Sequence, residues 1–293
     1  MKSGPSMFDH EVRFAGISLL VDPVDRKRVE ASDNVMAILH EEQCVLWEFV
    51  REDIRAAIAH VEGSIDLLDV GTGSGVAAIL VAKHIGAEHI VAIDKSSRAI
   101  RTAAKNAARN GVSFTLRGEF YNTNSAPYRA AKVIALNAPY HLYPREIEMR
   151  IPQHARGGID GQQVLREQLC IANYHLADGG IIVFNQMCLG REGKPGFLEY
   201  IPHLISGASV RYTNVFGPIA TADFLSKVYD GKFAAYQEQT SRDYPELYFC
   251  DGVITRDGNN TVTLVPHNID LKGRTWADRI DLHQQIALHA NAA

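Results

Sequence analysis

The sequence lacks most of the signals that assign a chain to a class at sight. Its four cysteines, Cys44, Cys170, Cys188 and Cys250, are far apart and form no Cys-x-x-Cys pair. That excludes zinc-finger spacing and a secreted disulfide framework, and reduced thiols in a cytoplasmic protein are the expectation. No basic excess is present: 30 Lys and Arg against 34 Asp and Glu leave a formal net charge of −4. This is the wrong sign for a nucleic-acid partner. No apolar run approaches the roughly 20 residues that cross a bilayer, so no membrane partner is expected. Met1-Lys2-Ser3-Gly4-Pro5-Ser6 lacks the apolar core of a signal peptide. The histidines show no metal-ligand spacing, so no catalytic metal is expected. Internal repeats and low-complexity stretches are missing too.

What is there begins with Leu67-Leu68-Asp69-Val70-Gly71-Thr72-Gly73-Ser74-Gly75, followed by the helix-like run Val76–Lys83. An apolar strand ends in an acid, glycines alternate through a turn, and a helix starts. Glycines let backbone approach a ligand where a Cβ would clash, and the helix end presents N–H donors. The spacing rules between nucleotide sites. A P-loop ends in Gly-Lys-Ser/Thr, and here Ser74-Gly75-Val76 carries no lysine. A dinucleotide fingerprint reads G-x-G-x-x-G, and here the third glycine comes one residue early. Asp69 would repel a pyrophosphate and attract an ammonium or sulfonium. A plain strand–helix turn is the competing reading.

Around this loop the chain alternates strands and helices. Strands are expected at Ile65–Val70, Ile90–Asp94, Ser113–Leu116, Lys132–Asn137 and Gly180–Asn185, and helices at Gly75–Ile85, Ser96–Asn110 and Gly161–Leu176. Near-continuously apolar strands alternating with helices indicate a parallel sheet covered on both faces, an α/β doubly wound, Rossmann-like architecture. Upstream, Val12–Val21 has strand character and reads as a hairpin over the ligand mouth. Residues 33–60 carry a helical apolar pattern stopped by Gly63. Downstream, Gly190–Gly196 reads as a loop, Phe197–Ile205, Ala222–Tyr229 and Trp276–Leu288 as helices, and Val210–Phe216, Leu247–Ile254 and Thr261–Pro266 as strands. Three regions are expected: residues 1–62 as an N-terminal strand and helix cap, 63–189 as the ligand-binding core, and 190–293 as completion of the sheet plus a substrate cap.

Asp94 ends the second strand, 23 residues beyond Gly71. A carboxylate there can accept both hydroxyls of a ribose or cap the following helix. Glu119 and Phe120, after the third strand, suit an adenine amine and ring, or a plain loop. Leu136-Asn137-Ala138-Pro139-Tyr140-His141 ends the fourth strand. Pro139 pushes Ala138 towards extended geometry, so the Asn137 amide oxygen and the Ala138 carbonyl can converge on one N–H₂ and stabilise charge growing on that nitrogen. Tyr140 would close one side by packing on the substrate. His141, Tyr143, His154 and Arg156 are further candidates for the pocket, Arg156 for a substrate carboxylate; Tyr174 and His175 read as core or interface.

Asp69-x-Gly71-x-Gly73-x-Gly75, Asp94 and Asn137-Ala138-Pro139-Tyr140 together resemble a class I S-adenosylmethionine-dependent methyltransferase. The last four resemble the Asn-Pro-Pro-Tyr-type signature of amino methyltransferases such as release-factor glutamine methyltransferases. Gly157-Gly158-Ile159-Asp160-Gly161 resembles the glycine-rich segment that follows the signature there. The resemblance covers about residues 64–187. It implies a mostly parallel seven-stranded sheet, here with N- and C-terminal additions, and S-adenosylmethionine as cofactor. It implies that Gly71, Thr72 and Gly73 meet the methionine part, that Asp94 holds the ribose, and that Glu119 and Phe120 lie near adenine. Asn137 and the Ala138 carbonyl would bind the nucleophilic amine. Ala138 replaces the usual first proline, residues 1–60 do not match the helical N-terminal domain of the release-factor enzymes, and residues 190–293 go well beyond them.

The sequence therefore points to a transferase that alkylates a nitrogen of a small molecule in biosynthesis, with no nucleic acid or membrane partner and with a homodimer admitted. One alternative needs the same residues: a cyclase that turns the cofactor's own amine on its γ-carbon, giving azetidine-2-carboxylate and methylthioadenosine. Another is an inactive cofactor-binding protein.

Overall fold

The computed structural model describes residues 10–22, 39–118 and 130–292. Its centre is one mixed sheet. The first five strands in it are parallel: β3 (Ile65–Val70), β4 (Ile90–Ile93), β5 (Thr115–Arg117), β6 (Ala131–Leu136) and β9 (Leu176–Arg191). β12 (Glu246–Arg256) runs antiparallel between β9 and β11 (Ala208–Ala220). The order is β13-β11-β12-β9-β6-β3-β4-β5, with the short β13 (Val262–Leu264) parallel to β11 and β10 (Lys194–Pro195) folded back on β9. The seven strands that the resemblance implies are all present; β13, expected over Thr261–Pro266, and β10 extend the sheet beyond them.

Helices cover both faces, as near-continuously buried strands require. α1 (Val45–His60) and α2 (Val76–His84) bury Trp47, Val50, Ile54, Ile79 and Leu80 against Leu67, Val133 and Val183 on one face. α3 (Ser97–Arg109) packs beside α2. α4 (Gln163–His175) and α5 (Phe197–Leu204) bury Leu165, Leu169, Phe197 and Ile201 against Leu68, Ile134, Phe184 and Ile254 on the other. A third cluster lies at the C-terminal end. There α6 (Thr221–Tyr229), α7 (Ala234–Asp243) and α8 (Trp276–Ala292) surround Met187, Phe216 and Phe249. Among the described residues no helix is long and apolar enough to cross a membrane.

Chain connections run from β3 outwards through β4 to β5, then return to β6 and go outwards the other way. The order therefore reverses between β3 and β6. Ligands of doubly wound sheets bind at such a reversal, beyond the carboxyl ends of the strands.

Three expectations need correction. β1 (His10–Phe14) and β2 (Ile17–Val21) do form the hairpin, but it does not cover the ligand mouth. It lies along α2 and α3, where Asn106 and Asn110 bond the backbones of Leu20 and Ser18, and Lys83 and His84 bond the carbonyls of Gly16 and Ala15. Those polar side chains give an edge hairpin partners that the open mouth lacks. Second, Gly63 does not stop α1, which ends at His60; a Cβ at residue 63 would lie 2.6 Å from the Ala130 carbonyl oxygen, so the glycine serves a close chain approach. The part of that helical pattern over 33–38 lies outside the described residues. Third, Gly190–Gly196 is the β9–β10 hairpin and not an irregular loop.

Cross-strand space is tight where Gly252 faces Phe184. A Cβ at residue 252 would stand 2.3 Å from the ring, which is itself wedged edge-on against Phe197 at 5.2 Å. Gly252→Ala should therefore cost about 1–3 kcal/mol by overpacking, read as a lowered urea midpoint with an unchanged m-value.

Candidate functional site

A cavity of about 430 Å³ opens at the reversal point, within the ordinary size of small-molecule sites. Its lining comes from Asp69–Ser74 after β3, Asp94 after β4, Asn137 and Pro139 after β6, one face of α4, and Gln43, Leu46, Trp47 and Val50 at the start of α1.

The glycine loop is held from within. Gly71, Gly73 and Gly75 all take positive φ, at 77°, 53° and 83°, which an L side chain would strain. Gly75 also lets α3 approach, since a Cβ there would meet Ala103 at 3.1 Å. The Gly71 and Thr72 N–H groups both donate to the Ile93 carbonyl at 2.9 Å, and Gly75 N–H donates to Thr72 O. Asp69 braces the turn: its Oδ2 accepts from Thr72 Oγ1 at 2.6 Å and from Ala78 N–H at 3.3 Å. Burial pushes its carboxyl up to about 6, against the pull of those two bonds.

Asp94 accepts from Gly73 N–H at 3.0 Å through Oδ2 and from Ser96 N–H at 2.8 Å through Oδ1. It is not the α3 cap. Ser96 fills that place, accepting from Ala99 N–H. Each Asp94 oxygen keeps a second lone pair on the cavity side for a diol. Glu119 and Phe120 lie outside the described residues.

Asn137 is exposed to the cavity, while Ala138 beside it is buried and contributes no lining side chain. Glycines hold this turn in place. β7 (His141–Leu142) pairs in parallel with β8 (Arg156–Gly158). A Cβ at Gly157 would lie 2.6 Å from the Tyr140 carbonyl carbon, and one at Gly161 would lie 2.6 Å from its oxygen. The glycine-rich segment is thus the bed on which the signature backbone lies.

Tyr140 departs from expectation. It lines no part of the cavity. Its hydroxyl donates to Glu42 and accepts from Arg279 Nη1 at 2.5 Å. Arg279, on α8, is fully buried; it also bonds Glu42 at 2.5 Å and Glu41 at 2.6 Å, and stands 4.7 Å above the Phe249 ring. Burial chiefly, with the carboxylates adding, pushes the Tyr140 phenol well up. Burial opposes the Arg279 charge, but Tyr140, Glu42 and Glu41 hold its pKa up. A buried arginine between two buried acids outcompeted a substrate for the tyrosine. His141 is buried likewise, its Nδ1 2.5 Å from His283 Nδ1 on α8.

Tyr143, His154 and Arg156 do line the cavity. Arg156 is engaged with the carbonyls of Ile151 and Met149, which pins the loop over which it lies. His175 is buried, edge-on to Tyr174 at 4.8 Å. No described residue after Val183 lines the cavity; the C-terminal helices reach the site through Tyr140 and His141.

Sequence reading missed the α4 wall: Gln163, Val164, Glu167, Gln168 and Ile171. Their spacing of one, three, one and three is a single helical face, so the signal was present. Gln43, Leu46 and Trp47 were missed as well. The fit for an adenosyl sulfonium rests on three features: the N–H groups of Gly71, Thr72, Gly73 and Gly75 already paired, the carboxylates of Asp69 and Asp94 in the lining, and an apolar wall of Leu46, Trp47 and Val50.

Known proteins agree with this core. The model of the family "Ribosomal protein L11 methyltransferase (PrmA)" matches residues 54–138. The ribosomal protein uL3 glutamine methyltransferase of Bordetella pertussis is 32% identical over 169 residues, 55% of this chain and 52% of that protein. The release factor glutamine methyltransferase of Gloeobacter violaceus is 32% identical over 132 residues, 41% and 45% of the two chains. The chain spans about half the length of the curated relatives it matches. Among solved structures, geranyl diphosphate C-methyltransferase from Streptomyces coelicolor A3(2) aligns with a TM-score of 0.43 and 14% identity, over 80% of this chain and 88% of that one.

Two outcomes follow from the geometry. Folded Asp69 keeps its proton to about pH 6, whereas the ordinary value is 3.8. The native state therefore binds more protons than the unfolded chain between those values, and stability falls as pH rises through that window. Asp69→Asn should escape this, gaining about 2–3 kcal/mol over the parent between pH 4 and pH 7; urea unfolding at both pH values measures it. Arg279→Met leaves Glu42 buried without its cation and Glu41 with only Arg274 at 3.7 Å, and should cost about 3–5 kcal/mol, seen as a large drop in thermal midpoint.

Proposed function

We propose, from the premise that this chain belongs to the class I S-adenosylmethionine-dependent methyltransferase superfamily, that it alkylates a nitrogen of a small molecule bound beside Asn137. The observation that carries the reading is Asn137 itself: at the carboxyl end of β6, its amide is exposed to the cavity shared by Asp69, Asp94 and the glycine loop. Similar proteins named for glutamine, a residue with a side-chain amide, agree with a nitrogen acceptor. The cavity's size and the net negative charge support a small molecule over a nucleic acid.

S-adenosylmethionine, when bound, supplies a carbon electrophile on a sulfonium with a thioether as leaving group. The chain's part is placement. Asp94 holds the ribose hydroxyls with its two remaining lone pairs. The Asn137 amide oxygen accepts an N–H group of the substrate, aims its lone pair and stabilises the positive charge that grows on nitrogen; Ala138, 1% exposed and not part of the lining, takes no part in this role. Leu46, Trp47 and Val50 keep water from the reacting atoms. Orientation of this kind supplies on the order of 7–11 kcal/mol of a barrier, and a neutral amine needs no strong general base.

The test is turnover with and without an acceptor. Purified protein given S-adenosylmethionine and a panel of small amines and amides should form S-adenosylhomocysteine only with an acceptor present. Asn137→Ala should lower kcat about 100-fold and leave S-adenosylhomocysteine affinity nearly unchanged. Unchanged turnover in Asn137→Ala overturns the site. Methylthioadenosine formed from the cofactor alone replaces the reading with the intramolecular cyclase. Binding with no turnover of any acceptor replaces it with a cofactor-binding protein.

A further inference from the structure

The N–H groups of Gly71, Thr72 and Gly75 are spent on backbone carbonyls, and that of Gly73 on Asp94. On the α4 side of the cavity one acceptor has no resident donor. Gln168 lines the cavity from α4, and its Oε1 is buried without a hydrogen-bond partner among the described residues. The amide stands close to the loop, its Nε2 3.5 Å from where a Cβ on Gly71 would be. Glycine at residue 71 thus clears the space between loop and amide.

Position along the sheet says which part of a ligand Gln168 meets. α4 packs on β6 and β9, the Asn137 side of the reversal point. Asp94 lies on the opposite side, after β4. A molecule stretched across the cavity with its ribose at Asp94 brings its other end to Gln168. The other end of S-adenosylmethionine is an amino acid, with an ammonium and a carboxylate. Asp69 and Glu167 line the same cavity, and their charge favours the ammonium. An unpartnered acceptor in a cavity with two acids suits a cationic donor, and hydrogen bonds to charged groups are the stronger ones.

We propose that Gln168 is a cofactor-binding residue that accepts a hydrogen bond from the α-ammonium of S-adenosylmethionine through Oε1. This rests on the reading of the cavity as the cofactor site. It makes α4 the reader of the amino-acid end, so Gln168 separates ligands with an amino-acid tail from those that end at the thioether.

Calorimetric titration with S-adenosylhomocysteine and with methylthioadenosine, which lacks the amino-acid tail, tests it without any turnover. Gln168→Leu should weaken S-adenosylhomocysteine about tenfold or more and leave methylthioadenosine within about twofold. Gln168→Glu keeps the acceptor and should bind S-adenosylhomocysteine at least as tightly as the parent. Equal loss of both ligands in Gln168→Leu, or loss of neither, overturns the proposal. So does a Gln168→Glu variant as weak as Gln168→Leu, which would make the amide a donor to the carboxylate. If the parent binds neither ligand, the cofactor reading of the cavity falls first and this assignment with it.

Discussion

One guanidinium joins three parts of the chain that are distant in sequence. Arg279 on the last helix bonds Glu41 and Glu42, just ahead of α1, and the hydroxyl of Tyr140 at the end of β6. Removing this cation alone leaves buried Glu42 without a cation and buried Glu41 with only the more distant Arg274, a far greater penalty than the pair's net worth. The arrangement is therefore all or none. Its geometric effect is on the signature. With Tyr140 drawn towards α8, and its backbone laid on Gly157 and Gly161, the chain just before it can turn only one way, and Asn137 is left exposed to the cavity. The C-terminal region acts on the site as a brace from behind.

The glycine loop shows the same economy at smaller scale. A loop that binds phosphate leaves its N–H groups pointing at the ligand. Here the Ile93 carbonyl takes two of them, the Thr72 carbonyl one and the Asp94 carboxylate one. Asp69 uses Oδ2 to hold Thr72 and Ala78. Beside them stands an ionisable carboxyl, Asp69, already pushed up to about 6 by burial. A cation entering beside it lowers the cost of that ionised carboxylate, so ligand charge and loop charge stabilise each other.

Much of this was legible in the sequence. β3 was expected at Ile65–Val70 and spans those residues, because an apolar run bounded by Ser64 and a glycine turn leaves little choice. The loop, Asp94 and Asn137 followed from strand and helix alternation and from glycine spacing, whereas the reversal point needed the strand order. β9 was not legible in full: Gly180–Asn185 reads as a strand, yet pairing with β12 carries it from Leu176 to Arg191, which no local pattern announces. Tyr140 was misplaced for a related reason. Its partners, Glu42 and Arg279, lie 98 and 139 residues away, and nothing within a helical or strand period of Tyr140 marks it as paired. Local rules see strands, turns and faces; they do not see which buried acid a distant arginine must neutralise.

These two halves divide the work of the site. On the function proposed above, everything readable locally, from the glycine loop to Asp94, would serve the electrophile, and residues after β3 and β4 can arrange it with short-range bonds. The nucleophile's side would then depend on contacts across the whole chain: Asn137 through Tyr140, Tyr140 through Arg279, Arg279 through α8. A cofactor shared by a large superfamily needs one stable cradle, and local sequence suffices to build it. An acceptor particular to one protein needs a wall that can vary while the cradle stays fixed. On the proposed function, anchoring that wall to the N- and C-terminal segments through Glu41, Glu42 and Arg279 would let substrate choice change without disturbing the glycine loop.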